Sequence, residues 1–91
     1  MAEPKKPKSL PIVLVDWIDA SALEAGWEVR EKQAAINTGL AYTVGLLLRK
    51  DRTAIVVACT YDPLNDTVVG GMTIPRVWVK KIKRLGTWRA K

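Results

Sequence analysis

Two neighbouring stretches, 40–49 (LAYTVGLLLR) and 53–61 (TAIVVACTY), are apolar on both sides of any strand they form. Successive side chains of an extended chain point to opposite faces. Tyr42, Val44, Leu46 and Leu48 therefore share one face of the first stretch, and Leu47 sits on the other. In the second, Ile55, Val57 and Cys59 share a face and Val56 and Ala58 oppose them. Lys50-Asp51-Arg52 joins the two as a polar link of hairpin length. A hairpin apolar on both faces needs cover on both. A small barrel buries only one, so the surplus calls for the segment 19–39 or for a second copy of the chain, which makes homodimerisation an open alternative.

The remaining strands read less strongly. Residues 11–18 (PIVLVDWI) are rich in β-branched side chains and open on a proline, as an edge or first strand permits. Ile12, Leu14 and Asp16 fall on one face, with Val13, Val15 and Trp17 on the other. Asp62, Pro63, Asn65 and Asp66 mark a turn. Val68-Val69 and Met72–Ile74 give short strands around Gly70-Gly71, and 78–85 is the last strand. Within 19–39, Ser21 and Glu24 have capping-box spacing, and 28–36 holds good helix formers ahead of Asn37-Thr38-Gly39. Only Val29 and Ile36 are large and apolar there, so the expectation is a long excursion with one short helix.

Ninety-one residues make one domain. The expected organisation is a disordered basic arm over 1–9, a small β-barrel over 10–86 and a basic tail over 87–91. The net charge of +6 is unevenly placed. Residues 76–91 carry seven Lys or Arg and no acid, whereas 9–75 hold five basic and eight acidic residues. The body is mildly acidic and the ends are basic, unlike a uniformly basic nucleic-acid binder.

Several function classes lose their chemistry. The chain has no histidine, hence neither the usual general base near neutral pH nor the commonest zinc ligand. Its single cysteine, Cys59, cannot form an internal disulfide, which fits a reducing cytoplasm. It reads as a small core residue. Asp16 with Asp19, and Asp62 with Asp66, sit where aspartate caps backbone, without the further oxygens of a calcium loop. Gly70-Gly71 lacks the flanks of a phosphate loop. The apolar stretch 10–15 is short and interrupted by Pro11, a poor signal peptide, and no run spans a membrane. No enzyme, metal or cofactor is expected.

The string Ile74-Pro75-Arg76-Val77-Trp78-Val79-Lys80-Lys81-Ile82 resembles the end of an SH3 domain, where a short 3₁₀ turn feeds the last barrel strand. Proline fixes φ for such a turn, and the valine and isoleucine point inward while the aromatic faces out. Val15-Asp16-Trp17 resembles the first strand of these domains, and 19–39 their long first loop. The resemblance implies a small SH3-like β-barrel, mainly β, with one short helix in that loop. The paired tryptophans of peptide-binding members have no counterpart in 43–48, so proline-rich ligands are not carried over. The whole chain also resembles short, uncharacterised bacteriophage proteins. It shares with them Val15, Trp17-Ile18-Asp19, Gly26-Trp27, Val44-Gly45-Leu46, Ile74-Pro75, Lys81-Ile82 and Leu85. That resemblance implies an accessory role in the host cytoplasm.

Basic residues and aromatics interleave near the end. Arg76, Trp78, Lys80, Lys81, Lys83 and Arg84 are the candidate contact surface, because an aromatic beside arginine is a frequent binding anchor. Lysines on an edge strand also discourage aggregation, which would explain them without a ligand. The expected function is a non-enzymatic module that docks on a host or phage protein. The alternatives are nucleic-acid binding through the basic C-terminal strand and arm, or a dimer that sequesters a small anionic nucleotide between its subunits. Trp17 and Trp27 are expected in the core.

Overall fold

The computed structural model describes residues 5–19, 30–31 and 39–91. In chain order these form β1 (Ser9–Asp19), β2 (Gly39–Lys50), β3 (Ala54–Ala58), β4 (Thr60–Asp62), β5 (Thr67–Val69) and β6 (Met72–Pro75). A 3₁₀ turn, η1 (Arg76–Trp78), then leads into β7 (Val79–Arg89). The protein is mainly β. Five strands make one antiparallel sheet in the order β6-β3-β2-β1-β7, and β4 pairs with β5 as a separate ribbon.

The expected closed barrel is not formed. β6 and β7 are the two edges of the sheet, and no ladder joins them. The reason lies at Pro75, which ends a four-residue strand and has no N–H to extend a ladder. The next amide, Arg76 N–H, donates instead to the Thr53 carbonyl at 2.9 Å, and η1 starts there. The helix expected in the first loop, with Ser21, Glu24 and Trp27, lies outside the described residues, of which that loop contributes only Arg30 and Glu31. Asp19 and Gly39, at the loop's two ends, are paired across β1 and β2.

The open sheet still folds one face over itself. In a flat sheet with strands ~4.8 Å apart, the two edges of five strands would lie roughly 19 Å from each other. Yet Ile74 of β6 joins Val13, Val15, Trp17, Ile55 and Val57 in one core cluster, and Val79 and Ile82 of β7 pack against it. Val15 and Ile55 are wholly buried. Irregularities in the β1–β7 ladder at Ile12/Val13 and Asp16/Trp17, and in β2–β3 between Leu47 and Arg49, supply places for the sheet to bend.

The inner face of β2 is its smaller one. Ala41, Thr43 and Gly45 stand opposite Trp17, Val15 and Val13 in the ladder. Bulk from β1 is thus matched by small residues from β2. Gly45 is required by a close approach: a Cβ there would lie 2.8 Å from the Ala58 carbonyl oxygen. The larger set, Leu40, Tyr42, Val44 and Leu46, occupies the outer face with Ile12, Leu14 and Ile18. Leu40, Tyr42 and Val44 are exposed there, Tyr42 by 65%.

The two ends of the described chain meet in the sheet. Ser9 pairs with Arg89, Leu10 with Trp88, and the Ala90 amide donates to the Lys8 carbonyl at 2.8 Å. Thr87–Arg89 therefore belong to β7 and Ser9 to β1, rather than to the tail and arm expected there. The anchor is apolar: Leu10 is buried, and Tyr61 of β4 meets the Trp88 ring edge-on at 5.2 Å. Cys59, expected in the core, is exposed. It follows the last residue of β3, where its N–H turns to the Gly70 carbonyl. Gly70 has φ +70°, and a Cβ there would lie 2.9 Å from the Cys59 sulfur.

Candidate functional site

Residues 75–79 set the geometry of the candidate site. Pro75 has φ −56° and ψ 135°, and after it the chain makes one 3₁₀ turn. Three residues in so tight a turn point in three directions. Arg76 goes to the β2–β3 turn, Val77 to solvent at 90% exposure, and Trp78 onto β1. The Trp17 and Trp78 rings are parallel within 3°, with centroids 6.3 Å apart. At that separation the rings are offset rather than face to face.

Trp17 is held rigidly. It is buried, and its indole N–H donates to Thr43 Oγ1 at 2.9 Å. The Thr43 hydroxyl in turn reaches the Met72 sulfur at 3.8 Å. Trp78 is 37% exposed and lies over this fixed base. The expectation that Trp17 is a core residue holds, and the same ring also serves as the floor for Trp78.

The six residues singled out from the sequence do not form one surface. Lys81 stands opposite Asp16 and Lys83 opposite Leu14, on the outer face of the sheet. Lys80 falls at the ladder irregularity between Asp16 and Trp17. Arg84 is opposite Val13, and its guanidinium donates to Thr87 Oγ1 at 2.6 Å. Arg84 lines a depression with Pro11, Leu47, Lys50 and Ile82. Simple alternation, which puts Trp78, Lys80, Ile82 and Arg84 on one face, fails because the irregularity at Lys80 shifts the phase by one residue. β7 is an edge strand bearing exposed lysines, as protection against edge pairing would have it.

Arg76 has a different setting. It lines an open depression with Lys50, Asp51 and Arg52. Asp51 organises this turn. Its Oδ1 accepts from the Thr53 N–H at 2.9 Å, the Thr53 hydroxyl at 2.7 Å and the Ala54 N–H at 3.0 Å, and its Oδ2 accepts from Arg49 Nε at 2.9 Å. These partners, the Thr53 hydroxyl foremost, hold the carboxyl at a pKa of about 2. Asp62 plays the same part in the β4–β5 turn, accepting from the Leu64 N–H and the Asn65 side chain, and its pKa is lowered chiefly by the latter. Both aspartates cap backbone. Among the described residues no group of three or more potential metal ligands comes together, and no helix is long and apolar enough to cross a membrane.

Sequence reasoning missed Lys50 and Arg52 as neighbours of Arg76. It also missed Thr43, which holds the Trp17 indole and reaches the Met72 sulfur. The charged link 50–52 was visible, but only the ladder of β3 with β6 shows that Pro75 ends beside it. Comparison of the chain with protein-family models, curated proteins and solved structures finds no match.

Proposed function

We propose that this chain is a non-enzymatic binding module of SH3-like design, phage-encoded, which docks on a host or phage protein in the host cytoplasm. The Trp17–Trp78 stack carries the reading. An aromatic ring fixed from below and part exposed offers contact area at little cost in side-chain entropy. The 3₁₀ turn ahead of the last strand and the long connection between β1 and β2 support the SH3-like design. The phage origin rests on the sequence resemblance. Nucleic-acid binding along the C-terminal strand has less behind it, because its cations are split between faces and offer no continuous track.

The test is capture from bacterial lysate with tagged wild type and Trp78→Ala, at low and high salt. Loss of the stacking geometry removes about 0.5–1.5 kcal/mol and loss of the ring's buried area adds to it, so amide NMR dispersion checks that the variant is folded before capture is compared. A stoichiometric protein retained by wild type at high salt and released by folded Trp78→Ala is the expected result. Nuclease-sensitive material lost at high salt from both would replace this reading with the nucleic-acid one.

A second reading concerns self-association, and it rests on the outer face of β1 and β2. Leu40, Tyr42 and Val44 are exposed side by side on one strand. Asp16 and the lysines 81 and 83 share that face, so two copies related by a two-fold axis can oppose unlike charges.

A further inference from the structure

Three cations and one acid, Asp51, line the depression beside the β2–β3 turn among the described residues. Lys50 and Arg52 are exposed. Neither they nor Arg76 has a carboxylate within salt-bridge distance among the described residues, where the ion pair at this turn is Arg49 with Asp51. Asp51 is ion-paired with Arg49 and accepts from Thr53 and Ala54, so the charges of Lys50, Arg52 and Arg76 exceed the acid at this turn.

Arg76 supplies the second observation. Its Nη1 is buried and has no hydrogen-bond partner among the described residues. A buried donor on a charged group without a partner costs more than a typical hydrogen bond contributes. No carboxylate of the described residues lies within salt-bridge distance of this guanidinium, and Arg76 is not fully buried, so part of it reaches the depression it lines. The backbone holds Arg76 in place regardless, through its N–H on the Thr53 carbonyl and the rigid Pro75 before it.

We infer that the depression lined by Lys50, Arg52 and Arg76 is a binding site for a phosphoryl group. A guanidinium fork matches phosphate oxygens in pairs, and Lys50 and Arg52 add charge at the open side. The depression is open, and neither Trp17 nor Trp78 lines it. It therefore accepts the end of a ligand, a terminal phosphate or an exposed backbone phosphate, rather than enclosing a whole one.

The test is a titration of the ¹⁵N-labelled chain with inorganic pyrophosphate at constant ionic strength. The expected result is saturable movement of the amides of residues 50–53 and 76. Affinity should fall about tenfold or more in Arg76→Gln, and also in Arg52→Gln, which changes an exposed side chain and leaves the fold intact should Arg76→Gln not fold. Lys8→Gln, with the same change of charge, should bind as wild type does. Shifts that stay linear in ligand, or that weaken equally in Lys8→Gln, would overturn the site as general charge screening. Adenosine diphosphate and a thymidine oligonucleotide then separate the sources. Binding of the former at pyrophosphate strength points to a free phosphate ester, and preference for the latter with a steep salt dependence points to backbone phosphate. If neither pyrophosphate nor either ester saturates, the inference fails.

Discussion

Replacing Gly45 with alanine should separate two strands that are in backbone contact. The added Cβ would lie 2.8 Å from the Ala58 carbonyl oxygen and 3.4 Å from both the Ala58 carbonyl carbon and the Val57 Cβ. Carbon–oxygen contacts between adjacent strands ordinarily sit at about 3.3–3.6 Å. β2 and β3 would therefore have to move apart locally by about 0.5 Å. The obstacle is main chain, which cannot swing aside as a side chain can. Overpacking of this kind costs about 1–3 kcal/mol. Against it stands the entropy alanine saves in the unfolded chain, about 0.4–1 kcal/mol. The net expectation is a loss of about 1–2 kcal/mol, which for a domain of this size lowers Tm by roughly 5–15 °C. Urea denaturation followed by tryptophan fluorescence, with a calorimetric scan, measures both. A variant as stable as wild type with an unchanged m-value would refute the close approach, and with it the account of why the small face of β2 points inward. Serine should behave as alanine does, because the clash begins at Cβ.

Two further outcomes follow from the turn and the outer face. Asp51 has its pKa lowered from 3.8 to about 2 by its hydrogen bonds in the folded chain. It therefore contributes stability that is fully present above about pH 5 and is lost as pH falls through 3.8 to about 2. The gap in urea midpoint between wild type and Asp51→Ala should be constant from pH 7 to about pH 5 and shrink below that, and a gap that widens on acidification would contradict the capping role. On the outer face, Val44→Glu should leave the fold intact, since Val44 is exposed, and should shift the mass by light scattering from dimer to monomer. A wild type that is monomeric at millimolar concentration would remove the self-association reading outright.

Much of the sheet is legible in the sequence because alternation and turn residues are local signals. β2 and β3 follow from their apolar runs, with Lys50-Asp51-Arg52 between them, and the surplus apolar face appears as exposed Leu40, Tyr42 and Val44. The 3₁₀ turn follows from Pro75, whose φ is fixed by its ring. What could not be read depends on residues far apart in the chain. Alternation across 53–61 puts Cys59 with Val57, but the chain breaks after Ala58 to start a separate ribbon. The phase of β7 depends on where its ladder with β1 slips, so Lys80 and Arg84 cannot be assigned a face from their own neighbours. The failure of the barrel to close is equally non-local, because it turns on how far β6 extends beside β3. Arg76 reaches Thr53 for the same reason: they are 23 positions apart in the chain, and only the completed β3–β6 ladder brings them together.

The central place of β1 has a consequence for how the molecule assembles. Its two neighbours in the sheet are β2, which follows it, and β7, which the ribosome makes last among the strands. Pairing of residues 9–19 with 79–89 spans nearly the whole chain, and loop closure over such distances is slow. Until it happens, one edge of β1 stays open, with Val13, Val15 and Trp17 lacking the cover of Val79 and Ile82. Until residues 79–89 are made, a nascent chain carries a bare apolar strand edge, the condition under which chaperones engage and neighbouring copies pair wrongly. The β2–β3 hairpin, closed locally by Asp51, has no such wait, so the order of events is written into the strand order itself.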